Sequence, residues 1–124
     1  MKKRVLGRTG LEVSELALGG LFVSSYGGAD VVSAREAVRA AVSGGVNYID
    51  TAPGYANSEE LLGQAMNGVQ EPLILSTKLG GRPHPFDPRD KKALRQSVED
   101  SLRLLGRDRI GILMIHEPDR PAQY

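Results

Sequence analysis

The sequence predicts an α/β fold made of parallel strand–helix–strand units, and three observations carry that expectation. Short apolar runs of strand length, at residues 16–19, 46–50, 72–78 and 110–116, alternate with longer segments of helical periodicity. The alternation recurs at roughly 30 residues, the length of one such unit. The runs at 46–50, 72–78 and 110–116 each end on an ionisable residue, Asp50, Lys78 and His116, at the carboxyl end of the strand, where α/β folds place their chemistry.

Taken in order, Arg4 to Val13 reads as a hairpin of two short strands around a turn from Gly7 to Gly10. Leu16-Ala-Leu-Gly19 is the first parallel strand. A Gly- and Ser-rich loop, Gly20 to Gly28, follows and contains Phe22 and Tyr26. It is not a Gly-x-Gly-x-x-Gly turn, because the third glycine is misplaced and no helix begins at once. Ser33-Ala-Arg-Glu36 has the form of a capping box, and Ala34, Ala37, Val38, Ala41 and Val42 follow at helical spacing until Gly44-Gly45.

The second strand, Val46 to Asp50, leads through a tight loop bearing Tyr55 to a helix opened by Asn57 or Ser58, with Leu61, Leu62, Ala65 and Met66 on one face. Pro72 to Lys78 is the third strand. Pro83, Pro85 and Pro88 exclude regular structure between Arg82 and Pro88. Asp87 is the expected cap of a third helix with Pro88 at its first position and Leu94, Val98, Leu102 and Leu105 as its stripe, ended by Gly106. Ile110 to His116 is the fourth strand.

Side chains alternate faces along a strand. If Asp50 faces inward, Tyr48 and Val46 share its face and Ile49 packs under the helices. The same counting turns Ile74, Ser76 and Lys78 inward, and likewise Ile112, Met114 and His116. With neighbouring strands about 4.8 Å apart, a carboxylate, an ammonium and an imidazole converge within side-chain reach. Singly, each has a plain explanation: Asp50 as a cap, Lys78 as a solvated strand end, His116 as a turn histidine. Their convergence beside a phenol is the specific signal.

Asp50-Thr-Ala-Pro-Gly-Tyr-Ala-Asn-Ser-Glu-Glu-Leu-Leu-Gly63, Leu75-Ser-Thr-Lys-Leu-Gly-Gly81 and Leu113-Met-Ile-His-Glu-Pro-Asp119 resemble the strand signatures of the aldo-keto reductases. These are nicotinamide-dependent carbonyl reductases and alcohol dehydrogenases built on a (β/α)8 TIM barrel. The resemblance extends over the whole chain from Val5 and implies the first half of such a barrel: four parallel strands, three helices and a hairpin that caps the barrel bottom. A complete barrel takes about 250 residues. The 124 residues are therefore expected to be a single partial domain, 1–124, either a truncated form or a half-barrel module that assembles with another copy or a second-half chain.

The resemblance implies Asp50, Tyr55, Lys78 and His116 as the catalytic set, and Gly20, Leu21 and Asp50 as neighbours of the nicotinamide of NADP or NAD. Most of the cofactor site is expected in strands 5 to 8, outside this chain. The loop from Gly20 to Gly28 would border the substrate, although a plain connection explains it equally well. The substrate class implied is a small aldehyde or sugar. A free phenol, with a pKa of about 10, is a poor acid near neutrality. An ammonium about 4 Å away attracts the phenolate by about 4 kcal/mol at an effective dielectric of about 20. Lys78 would thus make Tyr55 a general acid, Asp50 would hold Lys78, and His116 would orient the substrate oxygen as neutral imidazole.

Other constellations are weaker. Ser58, Ser76 and His116 lack a Gly-x-Ser-x-Gly elbow for hydrolysis. His84, His116, Glu117 and Asp119 have no recognisable metal-site spacing, so no metal is expected. With no cysteine there is no disulfide or thiolate site. A net charge of +1 argues against a nucleic-acid surface. The absence of a long apolar run argues against a membrane and makes the cytoplasm the default expectation. Open strand edges would favour self-association.

Overall fold

The computed structural model describes residues 1–82 and 85–116. A hairpin of β1 (Lys3–Val5) and β2 (Glu12–Ser14) precedes a four-stranded sheet of β3 (Leu18–Gly19), β4 (Tyr48–Asp50), β5 (Ile74–Leu79) and β6 (Ile112–Ile115). The sheet order is β3-β4-β5-β6 and every pairing is parallel. Three helices, α1 (Val31–Ser43), α2 (Ser58–Ala65) and α3 (Lys91–Leu105), form the crossovers. This is the partial (β/α)8 barrel that the sequence predicts, with the expected hairpin.

Register assigns the two faces. Asp50 pairs with Ser76 and Ser76 with Ile112, while Lys78 pairs with Met114, so these residues share the inner face. Ile49 pairs with Leu75 on the opposite face, where both are buried together with Val38, Leu61, Leu62, Met66 and Leu105 from the helices. Each large apolar side chain buried there contributes about 1.5–3 kcal/mol. Leu113 and Ile115 also point outward, yet they are 44% and 48% exposed.

The hairpin is fixed to the amino-terminal edge of the sheet. Asn47, just before β4, accepts the Ser14 amide at 2.7 Å, donates its own amide to Ser14 Oγ at 3.1 Å and its side chain to the Glu12 carbonyl at 2.9 Å. Its strands thus brace the end of the sheet opposite the ionisable side chains.

Three helix details differ from expectation. The capping box at α1 is Asp30 with Ser33 rather than Ser33 with Glu36: Asp30 Oδ1 accepts the Ser33 amide at 2.8 Å and Ser33 Oγ accepts the Asp30 amide at 3.0 Å. At α3, Asp90 rather than Asp87 is the cap and accepts the Lys92 amide at 2.8 Å. Asp87 instead closes the preceding turn by accepting the Arg89 amide at 2.9 Å, and both aspartates are occupied. The buried side of α3 is Ala93, Ser97, Ser101 and Leu105, while Leu94, Val98 and Leu102 are half-buried. Close approach explains this choice, since a Cβ on Gly63 of α2 would lie 2.1 Å from the Leu104 carbonyl, which favours small residues on the facing side. Among the described residues no helix is long and apolar enough to cross a membrane.

Candidate active site

The site is built at the carboxyl ends of β4, β5 and β6. Lys78 lies one pleat beyond the Asp50–Ser76 pair on the same face, which brings its ammonium 2.9 Å from Asp50 Oδ2. A second donor reaches the Thr51 carbonyl at 2.8 Å. The lysine and aspartate side chains are 11% and 27% exposed. An ammonium so far withdrawn from water requires such partners, and both come from a single strand end.

Tyr55 enters from the β4–α2 loop. Its amide donates to the Ala52 carbonyl at 3.0 Å and its carbonyl accepts from Ser58 at 2.9 Å, so it occupies the turn that opens α2. The next residue, Ala56, has φ 46°, a left-handed conformation that non-glycine residues hold at a cost. Lys78 Nζ stands 4.8 Å from the centre of the Tyr55 ring. His116 continues the β6 ladder through its amide to the Leu79 carbonyl at 3.0 Å. Its imidazole meets the phenol edge-on, with ring centres 5.5 Å apart and planes at 85°.

All four expected catalytic residues are therefore brought together. An open cleft of about 570 Å³ is lined by Leu21, Gly54, Tyr55, Gly80, Gly81, Phe86 and His116, within the usual size range of small-molecule sites. Leu21 borders the cleft. Gly20 does not line it: the residue is buried, and a Cβ there would lie 2.7 Å from Ser58 Oγ and 2.8 Å from the Asp50 carbonyl. Its glycine is explained by packing of the first loop against the start of α2.

The Thr51 carbonyl, Gly54 and Phe86 are site components that the sequence did not single out. A backbone acceptor leaves no residue-type signal. Gly54 is legible only from the space it leaves, as a Cβ would approach His116 Cε1 to 3.2 Å. Asp50 Oδ1 and Ser76 Oγ are buried without a hydrogen-bond partner among the described residues, so the site retains acceptor capacity beside the lysine pair.

Ser58, of the hydrolase alternative, is engaged elsewhere. Ser58 Oγ donates to the Gly20 carbonyl at 2.7 Å and accepts from Thr51 at 2.8 Å, on the helix side of β4. His84, Glu117 and Asp119 lie outside the described residues, and no metal-holding group of three ligands occurs among the described ones.

The sequence profile described as "Aldo/keto reductase family" matches residues 15–124. The chain belongs to the aldo/keto reductase family. It is 33% identical to the aldo-keto reductase YhdN of Bacillus subtilis over 96% of this chain and 39% of that protein. Among solved structures it is similar to a Bacillus halodurans aldo-keto reductase in its holo form, with TM-score 0.73 and 36% identity over 98% of this chain and 40% of the other. It is also similar to a Bombyx mori aldo-keto reductase in complex with NADP, with TM-score 0.70 and 30% identity over 90% of this chain and 36% of the other. The chain thus spans about 40% of the length of the first curated relative.

Proposed function

We propose that this chain carries the acid–base half of an NAD(P)-dependent carbonyl reductase and alcohol dehydrogenase acting on small aldehydes or sugars. The observation that carries the reading is the Lys78 ammonium, held by Asp50 and the Thr51 carbonyl and set 4.8 Å from the Tyr55 ring. The open cleft beside Tyr55 and His116 suits the nicotinamide end of the cofactor and a small carbonyl substrate. Binding of the phosphate end is assigned, by the family resemblance, to strands 5 to 8 of a complete barrel. When bound, the cofactor supplies the hydride to the carbonyl carbon.

The protein's own groups manage the proton. Tyr55 Oη gives its proton to the carbonyl oxygen as negative charge gathers there, leaving a phenolate and an alcohol. The nearby ammonium favours that phenolate electrostatically. Asp50 and the Thr51 carbonyl hold Lys78 Nζ in place beside the phenol. His116, edge-on to the phenol, orients the carbonyl oxygen by donating a hydrogen bond. In the oxidative direction the phenolate takes the proton back.

In an enzyme completed with strands 5 to 8, Tyr55→Phe should lower turnover of a small aldehyde by about 10²–10⁴-fold and leave NADPH affinity, read by cofactor fluorescence, unchanged. Retention of most of the turnover would overturn the assignment of Tyr55.

A second reading, a half-barrel module that pairs with another copy or a second-half chain, is favoured by the exposure of Leu113 and Ile115 on β6. Sedimentation of the 124-residue chain with and without NADPH tests the self-paired form of the module: a dimer that binds cofactor supports it, and a monomer that binds none rejects it.

A further inference from the structure

Glu59 is the most deeply buried carboxylate among the described residues, 2% exposed, and nothing in the proton chemistry uses it. It is the second residue of α2, where the helix dipole favours a negative charge. Its Oε1 accepts the Thr77 hydroxyl at 2.6 Å, and its Oε2 is paired with the Arg82 guanidinium. Burial pushes Arg82 below its ordinary value, with the Asp100 carboxylate opposing that shift and Arg103 adding to it, but a guanidinium stays charged throughout the working range.

The partners are informative. Thr77 is the residue before Lys78 and points to the opposite face of β5. The strand end is therefore gripped on its inner face by Asp50 through Lys78 and on its outer face by Glu59 through Thr77. Arg82 lies just past Gly80 and Gly81, which wall the cleft. Glu59 itself lies one residue after Ser58, whose amide is bonded to Tyr55. A second contact joins the same two segments, because a Cβ on Gly81 would lie 3.2 Å from the Gly54 amide nitrogen.

A buried ion pair is poor value for stability alone, as apolar residues of similar volume do as well or better, whereas it fixes one arrangement of the parts it joins. We infer that Glu59 is a positioning residue that sets the separation of Tyr55 and Lys78 by bolting the first turn of α2 to the end of β5. The inference rests on the reading of Tyr55 and Lys78 as an acid–base pair.

The test is NMR of the 124-residue chain with labelled lysine. An ammonium over an aromatic face places the Lys78 ε-methylene protons in the upfield ring-current region, and Tyr55→Leu should abolish that shift. Glu59→Gln and Thr77→Val should each remove at least half of it, while Thr77→Ser, which restores the hydroxyl, should retain it. Thr77→Val keeps the side-chain volume and carries the test if Glu59→Gln does not fold. If Tyr55→Leu moves the Lys78 signal but folded Glu59→Gln and Thr77→Val do not, the clamp is overturned and the acid–base pair stands. If Tyr55→Leu leaves Lys78 unmoved, the pair itself is overturned, and the clamp with it.

Discussion

The two faces of the four-stranded sheet do opposite work with alternate residues of the same strands. On the outer face Ile49 and Leu75 vanish under α1 and α2 with Leu62, Val38 and Met66. On the inner face Asp50 and Lys78 remain partly open to solvent, held by directed polar contacts. The outer face is held by contacts that are indifferent to direction, the inner face by contacts that are not. A parallel strand offers both because its period of two separates them.

The largest effect that sharpens this contrast is Leu62→Ala. The residue is fully buried, so unfolding in urea should show a loss of about 2–5 kcal/mol; a loss near zero would mean that the helix side is not the core. Asp50→Asn should be milder, about 1.5–3 kcal/mol for a hydrogen bond to a charged group. Its signature is retention of the outer-face methyl resonances while the Lys78 signals move, and a collapse of both would erase the distinction between faces.

Smaller still is Ala56→Gly. Relief of a left-handed conformation is worth about 1–2 kcal/mol, and the added freedom of glycine in the unfolded chain costs about 0.5–1 kcal/mol. A net gain of about 0.5 kcal/mol in urea midpoint analysis is expected, and a net loss would place the strain elsewhere.

The last contrast concerns pH. The Ser33 amide, and then its hydroxyl, hold the Asp30 carboxyl below its usual range. Because the folded value is the lower one, the charge contributes stability above the unfolded pKa of about 3.9 and loses it as pH falls through the folded value. The stability difference between the native chain and Asp30→Asn should shrink as the solution is acidified below about pH 4. A difference independent of pH would show that the cap works without its charge.

The convergence of Asp50, Lys78 and His116 was legible because each of their strands is an apolar run closed by one ionisable residue, and parity then settles which neighbours share its face. The helix starts were less so. Asp30 and Ser33, like Asp87 and Asp90, are pairs of capping residues three apart, and only the folded backbone decides which of the two faces the free amides. The stripe of α3 misled for a different reason: periodicity marks the greasiest face, whereas the side that packs is chosen by how closely Gly63 lets the helices approach. Glu59 and its partner Arg82 lie 23 residues apart, with no local sequence pattern to join them.

Gly20 marks a boundary for anyone who would re-engineer the first loop. With the Ser58 hydroxyl and the Asp50 carbonyl already occupying the room a methyl would need, even alanine there would act as a wedge between β4 and α2. Exchanges of this loop should start at Leu21, the first position after Gly20 whose side chain is open to solvent.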